Sequence, residues 1–329
     1  MLPAPPINTY DSSYEDLQSQ WTDLELGLSM LLAHPRQAQE FPRKVRQFDR
    51  WMQDLVTHDT DAALYLLFQL ALTSSVGYSA SHALVCAALC HIVAPQLGMT
   101  GAVRDSLVRA AITMNIGMTE LQDVLAEQRE RPSSAQQEAI RSHPQRGRLM
   151  LEQFGIADGL WLDTVAQHHA AQSGKPVYDA LPQAQRPAYV LGLIDRYAAM
   201  ISPRKSRPGR SATDTVRMIV GDELQPRDPV GIALVRSVGL CPPGTFVRLD
   251  NGDTAVVLRR SSQANQPLVA SLLDSHAEPY EQPRLHHTSD GKPHIQSALS
   301  QVALRVELNH RTMVRLGLYV SQGRASLEG

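Results

Sequence analysis

Ser142-His143-Pro144-Gln145-Arg146-Gly147, then His168-His169, then Asp195 place metal-ligand residue types on three consecutive stretches, and His82 joins them from far upstream. All of these stretches read as helices. Ala135–Phe154, Leu160–Ala171 and Ala188–Met200 repeat apolar residues at three- and four-residue steps, and Ser79-Ala80-Ser81 caps the helix that carries His82. Imidazole and carboxylate are the side chains that borderline divalent cations bind. Five such residues on helices therefore make a candidate pocket for an ion.

Working outward, the pattern stays helical toward the N-terminus. Residues 1–10 are proline-rich and carry no periodicity, and Asp11-Ser12-Ser13 then offers an N-cap. Leu17, Trp21, Leu24, Leu28, Leu31 and Leu32 form one apolar stripe that stops at His34-Pro35, and Val45, Phe48, Met52, Leu55 and Val56 repeat it after Phe41-Pro42. An antiparallel helical pair is predicted, its stripes packing in the core or against a second copy. Asp59-Thr60-Asp61 caps a helix to about Thr73, Leu107–Ile116 reads as a further helix, and breakers fall at Gly98, Pro132, Gly155 and Gly174-Lys175-Pro176.

Toward the C-terminus the pattern changes at Cys241-Pro242-Pro243-Gly244. Thr245–Leu249 and Thr254–Leu258 flank Asp250-Asn251-Gly252-Asp253, a strong hairpin signal, and Leu268–Leu273 adds a third β-prone run. Ser297–Leu308 and Thr312–Val320 fit either element type, and no internal repeat is present. His286-His287 and His294 fall in a Pro/Gly-rich stretch that reads as a solvated loop. The predicted fold is mainly α: an N-terminal tail and helical pair over 1–56, a helical domain over 57–238, and a β-hairpin-containing extension over 239–329.

Composition narrows the class. With 329 residues, 43% of them hydrophobic and 19% charged, the chain can bury a full core. A formal net charge of −2 gives no global attraction to a nucleic acid polymer or to an anionic membrane. The start, Met1-Leu2-Pro3-Ala4-Pro5-Pro6, has no secretory pattern, so a cytoplasmic location is expected. Cys86, Cys90 and Cys241 suit neither a disulfide framework nor a zinc knuckle. Cys86 and Cys90 follow His82 at four-residue steps, and that face is read as core packing rather than a soft-metal site. Pro203-Arg204-Lys205-Ser206-Arg207-Pro208-Gly209-Arg210 concentrates four positive charges after the Asp195 helix, and Arg204, Lys205 and Arg207 are the candidate phosphate contacts.

The order of Asp59–Leu66, His82, the Ala110–Gly117 block, His143-Pro144-Gln145-Arg146-Gly147, His168-His169 and Asp195 resembles the HD-GYP family, a subgroup of the HD-domain metal-dependent phosphohydrolases. The resemblance covers about residues 55 to 260, including Gly239–Thr245 and the hairpin. It implies an HD-domain helical bundle holding two or three ions, usually iron or manganese, and hydrolysis of cyclic di-GMP. Carried over position by position, it makes His82, His143, His168, His169 and Asp195 the metal ligands, with Arg204 near substrate phosphate. The chain departs from the pattern at the His-Asp pair, which falls on Met114-Asn115, at Met118 in place of a lysine, and at Ala170–Tyr178, which lacks the Gly-Tyr-Pro loop.

These departures fall on the chemistry itself. Two ions about 3.5–4 Å apart need an anionic bridge to offset their repulsion. Asn115 is neutral, and Met114 replaces an imidazole with a thioether that such ions bind poorly. Losing a partner one shell further out already costs about 10- to 100-fold in metal affinity or activity. The sequence therefore predicts a non-catalytic HD-GYP-like signalling protein that binds a protein partner or cyclic di-GMP. A phosphodiesterase with an altered metal site is the alternative. One divalent ion (iron, manganese or zinc) is the candidate cofactor, and a homodimer through the N-terminal helices is the candidate assembly.

Overall fold

The structure, a computed structural model, describes residues 12–73, 76–170, 178–206, 209–218, 228–263, 265–288, 293–299, 312–314 and 316–317. Helices α1 (Ser12–Ala33) and α2 (Phe41–His58) form the expected N-terminal pair. Their stripes are buried within the chain itself: Trp21, Leu24, Leu28, Val45 and Met52 belong to the main hydrophobic core. Leu26 and Met30 are left exposed on α1. α3 (Thr60–Thr73) starts where predicted, because the Asp59 carboxylate accepts from the Asp61 and Ala62 amides at 3.0 Å.

The centre of the bundle is α4 (Tyr78–Val93), which carries His82, Cys86 and Cys90. By length and composition Tyr78–Leu97 is apolar enough to cross a membrane, and 72% of its most apolar window is buried inside the protein, as in a core helix. Against it pack α5 (Gly101–Thr113), α6 (Thr119–Glu127) and α9 (Arg186–Ile201), while α7 (Ser134–Gln153) packs on α8 (Gly159–Gln167), which in turn packs on α5 and α9. Side chains set two of the starts. Ser133 and Gln136 make a reciprocal capping box at α7, and Asp158 accepts from the Trp161 amide at α8. α10 (Ala212–Met218) and α11 (Pro229–Val238) complete the helical part, α11 capped by Asp228.

Five strands follow among the described residues, β1 (Phe246–Leu249), β2 (Thr254–Arg259), β3 (Leu268–Leu273), β4 (Pro279–His287) and β5 (Ile295–Leu299). They form one antiparallel sheet in the order β4-β3-β2-β1-β5. The hairpin and third strand lie where the sequence puts them. β4 corrects it: His286 pairs with Val269 and His287 with Leu268, so both are strand residues, half-buried rather than solvated. Pro279 and Pro283 obscure this strand, yet both are tolerated because β4 is an edge that needs amide donors on one side only. His294 is exposed, as expected.

One face of the sheet, with Phe246, Val256, Leu258, Leu268 and Ala270, packs into the helical core, while Val247, Leu249, Ala255, Val257 and Val269 form a second cluster on the other face. An ionic junction reinforces the contact. Arg259 reaches Asp59 at 2.7 Å, and Arg260 Nε donates to Asp61 at 2.6 Å. Asp59, which caps α3, and Asp61 in its first turn thus also anchor the sheet.

Candidate metal centre

Helices α4, α7, α8 and α9 bring all five sequence-predicted ligands into two adjoining groups, His143–His168–His169 and His82–Cys86–Asp195. Within each group the ligand atoms lie within 4.8 Å of one another. His82, His143 and His168 are buried, while His169 and Asp195 keep partial exposure.

Local chemistry fixes the first group. Pro144 sits inside α7 and has no amide hydrogen, so it cannot donate to the Ile140 carbonyl four residues back. The Nδ1 of His143 takes that carbonyl instead, at 2.6 Å. His168 is the C-cap of α8, where the last carbonyls run out of amide donors, and its Nδ1 lies 2.7 Å from Val165 O. The sequence reading extended this helix to Ala171, but it ends at Gln167, and that ending supplies the acceptor. A carbonyl only accepts, so both Nδ1 atoms carry the hydrogen. Burial pushes His143 down to about 4 and His168 to about 3, with the neighbouring His169 adding to the effect, so both rings are neutral at pH 7. Their Nε2 atoms are then bare lone pairs, and they face each other at 3.4 Å.

Two facing lone pairs repel unless something positive lies between them. Two nitrogens bound to one tetrahedral zinc at about 2.0–2.1 Å would lie about 3.3–3.4 Å apart. The observed spacing fits an ion, and a ring whose other nitrogen donates to a carbonyl is the usual state of a ligating histidine. His169 closes the group, its ring centroid 4.0 Å from His168 and 5.2 Å from His143.

Two glycines let the backbones approach this closely. A Cβ on Gly192 of α9 would lie 2.1 Å from the His168 carbonyl oxygen. One on Gly117, in the turn after Met114-Asn115, would lie 2.6 Å from the His143 carbonyl.

The second group has different chemistry. His82 Nε2 is 2.9 Å from Asp195 Oδ1. Burial alone would raise the Asp195 carboxyl, but the His82 hydrogen bond and the electrostatic influence of the His82, His168 and His169 rings outweigh it, holding Asp195 well below the usual carboxylate range. Its charge also acts on His143, His168 and His169, so the carboxylate of one group influences the rings of the other. Cys86 Sγ lies 3.6 Å from His82 Nε2. Tyr78 stacks on His82 at 5.4 Å and 14°, and the Arg204 guanidinium lies over Tyr78 at 4.7 Å while donating to its hydroxyl at 2.9 Å.

Of the basic loop, Arg204 therefore borders the site. Lys205 is turned toward Glu127 in an ion pair, and Arg207 lies outside the described residues, as does 171–177. Met114 is fully buried at the end of α5, and Asn115 follows it as the N-cap of the 116–118 turn. Sequence reasoning passed over Tyr78 and read Cys86 as packing. The signal for both was four-residue spacing on either side of His82.

No protein-family model matches the sequence. The cyclic di-GMP phosphodiesterase PA4108 of Pseudomonas aeruginosa is 28% identical over 205 residues, which make up 60% of this chain and 49% of that protein. The chain is a distant relative of that phosphodiesterase. It spans about half the length of this curated relative. Among solved structures, Bd1817, an HDG"Y"P protein from Bdellovibrio bacteriovorus, aligns with a TM-score of 0.49 at 14% identity, over 70% of this chain and 73% of its own.

Proposed function

We propose that this chain is a degenerate HD-GYP-type domain that holds a metal ion at its histidines and binds cyclic di-GMP without hydrolysing it, as a cytoplasmic signalling module. The observation that carries the reading is at the end of α5: Met114 is buried and Asn115 is neutral, so that helix offers no anionic bridge for a pair of ions. The facing Nε2 atoms of His143 and His168 support retention of one ion. When bound, the ion supplies positive charge for a phosphate.

This chain's own contribution to such a ligand is the Arg204–Tyr78–His82 stack. Arg204 Nε is buried with no hydrogen-bond partner among the described residues, the condition of a guanidinium prepared for a phosphate oxygen. The phosphodiesterase named above supplies the candidate nucleotide. A second reading, a phosphohydrolase with an altered metal site, is favoured by all five histidine and aspartate ligands lying together.

Calorimetric titration of cyclic di-GMP into the zinc-, iron- and manganese-loaded chain, with chromatography of the nucleotide afterwards, separates the two. Saturable binding with intact nucleotide is expected. Multiple turnovers to a linear dinucleotide would overturn the proposal in favour of the second reading, and absence of binding would remove the nucleotide from it.

A further inference from the structure

We propose that Cys86 is a metal ligand, and that with His82 and Asp195 it forms a thiolate–imidazole–carboxylate site that selects zinc. Three observations carry this. The first is distance. Zinc bound to sulfur at about 2.3 Å and to nitrogen at about 2.0–2.1 Å in a tetrahedron sets the two donors about 3.5–3.6 Å apart. Cys86 Sγ and His82 Nε2 are separated by 3.6 Å. His82 Nε2 and Asp195 Oδ1, at 2.9 Å in their hydrogen bond, need to open by only about half an ångström.

The second is charge. A thiolate and a carboxylate together cancel the charge of a divalent ion, so the loaded site is neutral overall. Neutrality matters where Cys86 is fully buried and His82 is 2% exposed, because an unbalanced charge there costs several kcal/mol. The thiol proton leaves to solvent as the sulfur–zinc bond forms. Soft sulfur favours zinc over manganese or magnesium, whose preferred donors are oxygens.

The third is the freedom of His82. Its Nδ1 is buried and makes no hydrogen bond among the described residues, so its tautomer is not locked as those of His143 and His168 are. The hydrogen that Nε2 lends to Asp195 can move to Nδ1 as an ion binds, at the cost of a buried N–H without a partner among the described residues, leaving the Nε2 lone pair for the ion. Cys90, one turn further along α4, is a useful contrast. It is equally buried but belongs to neither ligand group, as expected of a cysteine that only packs.

This assignment goes beyond the proposed function and is independent of whether any nucleotide binds or is cut. The test is cobalt(II) loading of the full chain, read by the near-ultraviolet sulfur-to-cobalt charge-transfer band. The band is expected in the unaltered protein and in Cys90→Ser and Cys241→Ser, and is expected to vanish in Cys86→Ser with at least a tenfold loss of zinc affinity. Absence of the band from the unaltered protein, or its survival in Cys86→Ser, overturns the proposal. Zinc-edge X-ray absorption of the unaltered protein covers the event that Cys86→Ser does not fold. One sulfur neighbour at about 2.3 Å supports the site, and a shell of nitrogen and oxygen alone rules it out.

Discussion

Gly192→Ala isolates the contact that sets the position of His168. The added methyl would lie 2.1 Å from the His168 carbonyl oxygen and 3.3 Å from its carbonyl carbon, and both obstructing atoms are backbone. Ordinary van der Waals contact begins near 3.4 Å, so α9 and the end of α8 must separate by more than 1 Å. No side-chain rotation can relieve the clash. Overpacking of this kind costs typically about 1–3 kcal/mol. The displacement also moves the His168 ring away from His143, whose Nε2 atoms must stay close to 3.4 Å to share an ion. Gly159→Ala is the matched control. It is exposed at the start of α8 with nothing within 4 Å of its added methyl, and is expected to be neutral or stabilising by about 0.4–1 kcal/mol. The assay is chemical denaturation of both variants with and without zinc, alongside metal content by mass spectrometry. Gly192→Ala should lose both stability and bound metal. If it matched the Gly159→Ala variant in both, the packing of α9 against His168 would not be what holds the histidines together.

Other outcomes are also expected. Met114→His combined with Asn115→Asp should bring measurable cleavage of cyclic di-GMP by the metal-loaded chain; no gain would mean that the pocket has drifted beyond those two positions. Deleting residues 1–58 should leave an aggregated or unfolded chain by sedimentation and circular dichroism, because Trp21, Leu24, Leu28, Val45 and Met52 are core residues; a monodisperse folded fragment would refute that. Arg259→Ala leaves Asp59 short of its cation at the junction of α3 with the sheet and should cost about 1–3 kcal/mol in denaturant unfolding, with an unchanged midpoint counting against the junction. In chelator, stability should fall as pH drops from about 6.5 toward 4. The folded protein holds His143 at about 4, below its unfolded value, so the stability of the neutral ring is fully present above 6.5 and lost on the way down. His143→Gln should flatten that limb by about 3 kcal/mol; an unchanged limb would show that the ring is not held neutral.

The helical half of the fold was legible because its signals are local. Three- and four-residue apolar steps and capping residues such as Asp59 act within a turn or two of themselves. β4 was not, since an edge strand with two prolines is recognised by its partner β3 rather than by its own residues. The candidate ligands could be named from residue type and order alone. Their division into two groups could not, because it depends on how α9 seats against α8 through Gly192, a contact across two helices. Nor did the sequence distinguish Cys86 from Cys90. Both are buried on α4, and only the position of Asp195, more than one hundred residues later, separates a candidate ligand from a packing residue.

That division accounts for how a pocket can lose the Met114-Asn115 position and keep the rest. His143 and His168 are oriented by carbonyls of their own helices, one freed by Pro144 and the other by the end of α8. Neither needs a ligand on α5 to stay in place. Among the described residues α5 meets α8 through packing and two side-chain hydrogen bonds, from the Trp161 indole to Thr113 at 2.8 Å and from Ser106 to the α8 cap Asp158 at 2.7 Å, which a change at Met114 and Asn115 leaves intact. The imidazoles would therefore hold their geometry after the bridging carboxylate disappeared, and the loss would fall on the coupling between two ions rather than on the binding of either one. On the proposed function, such a pocket would lose hydrolysis before it lost the ion held by its imidazoles.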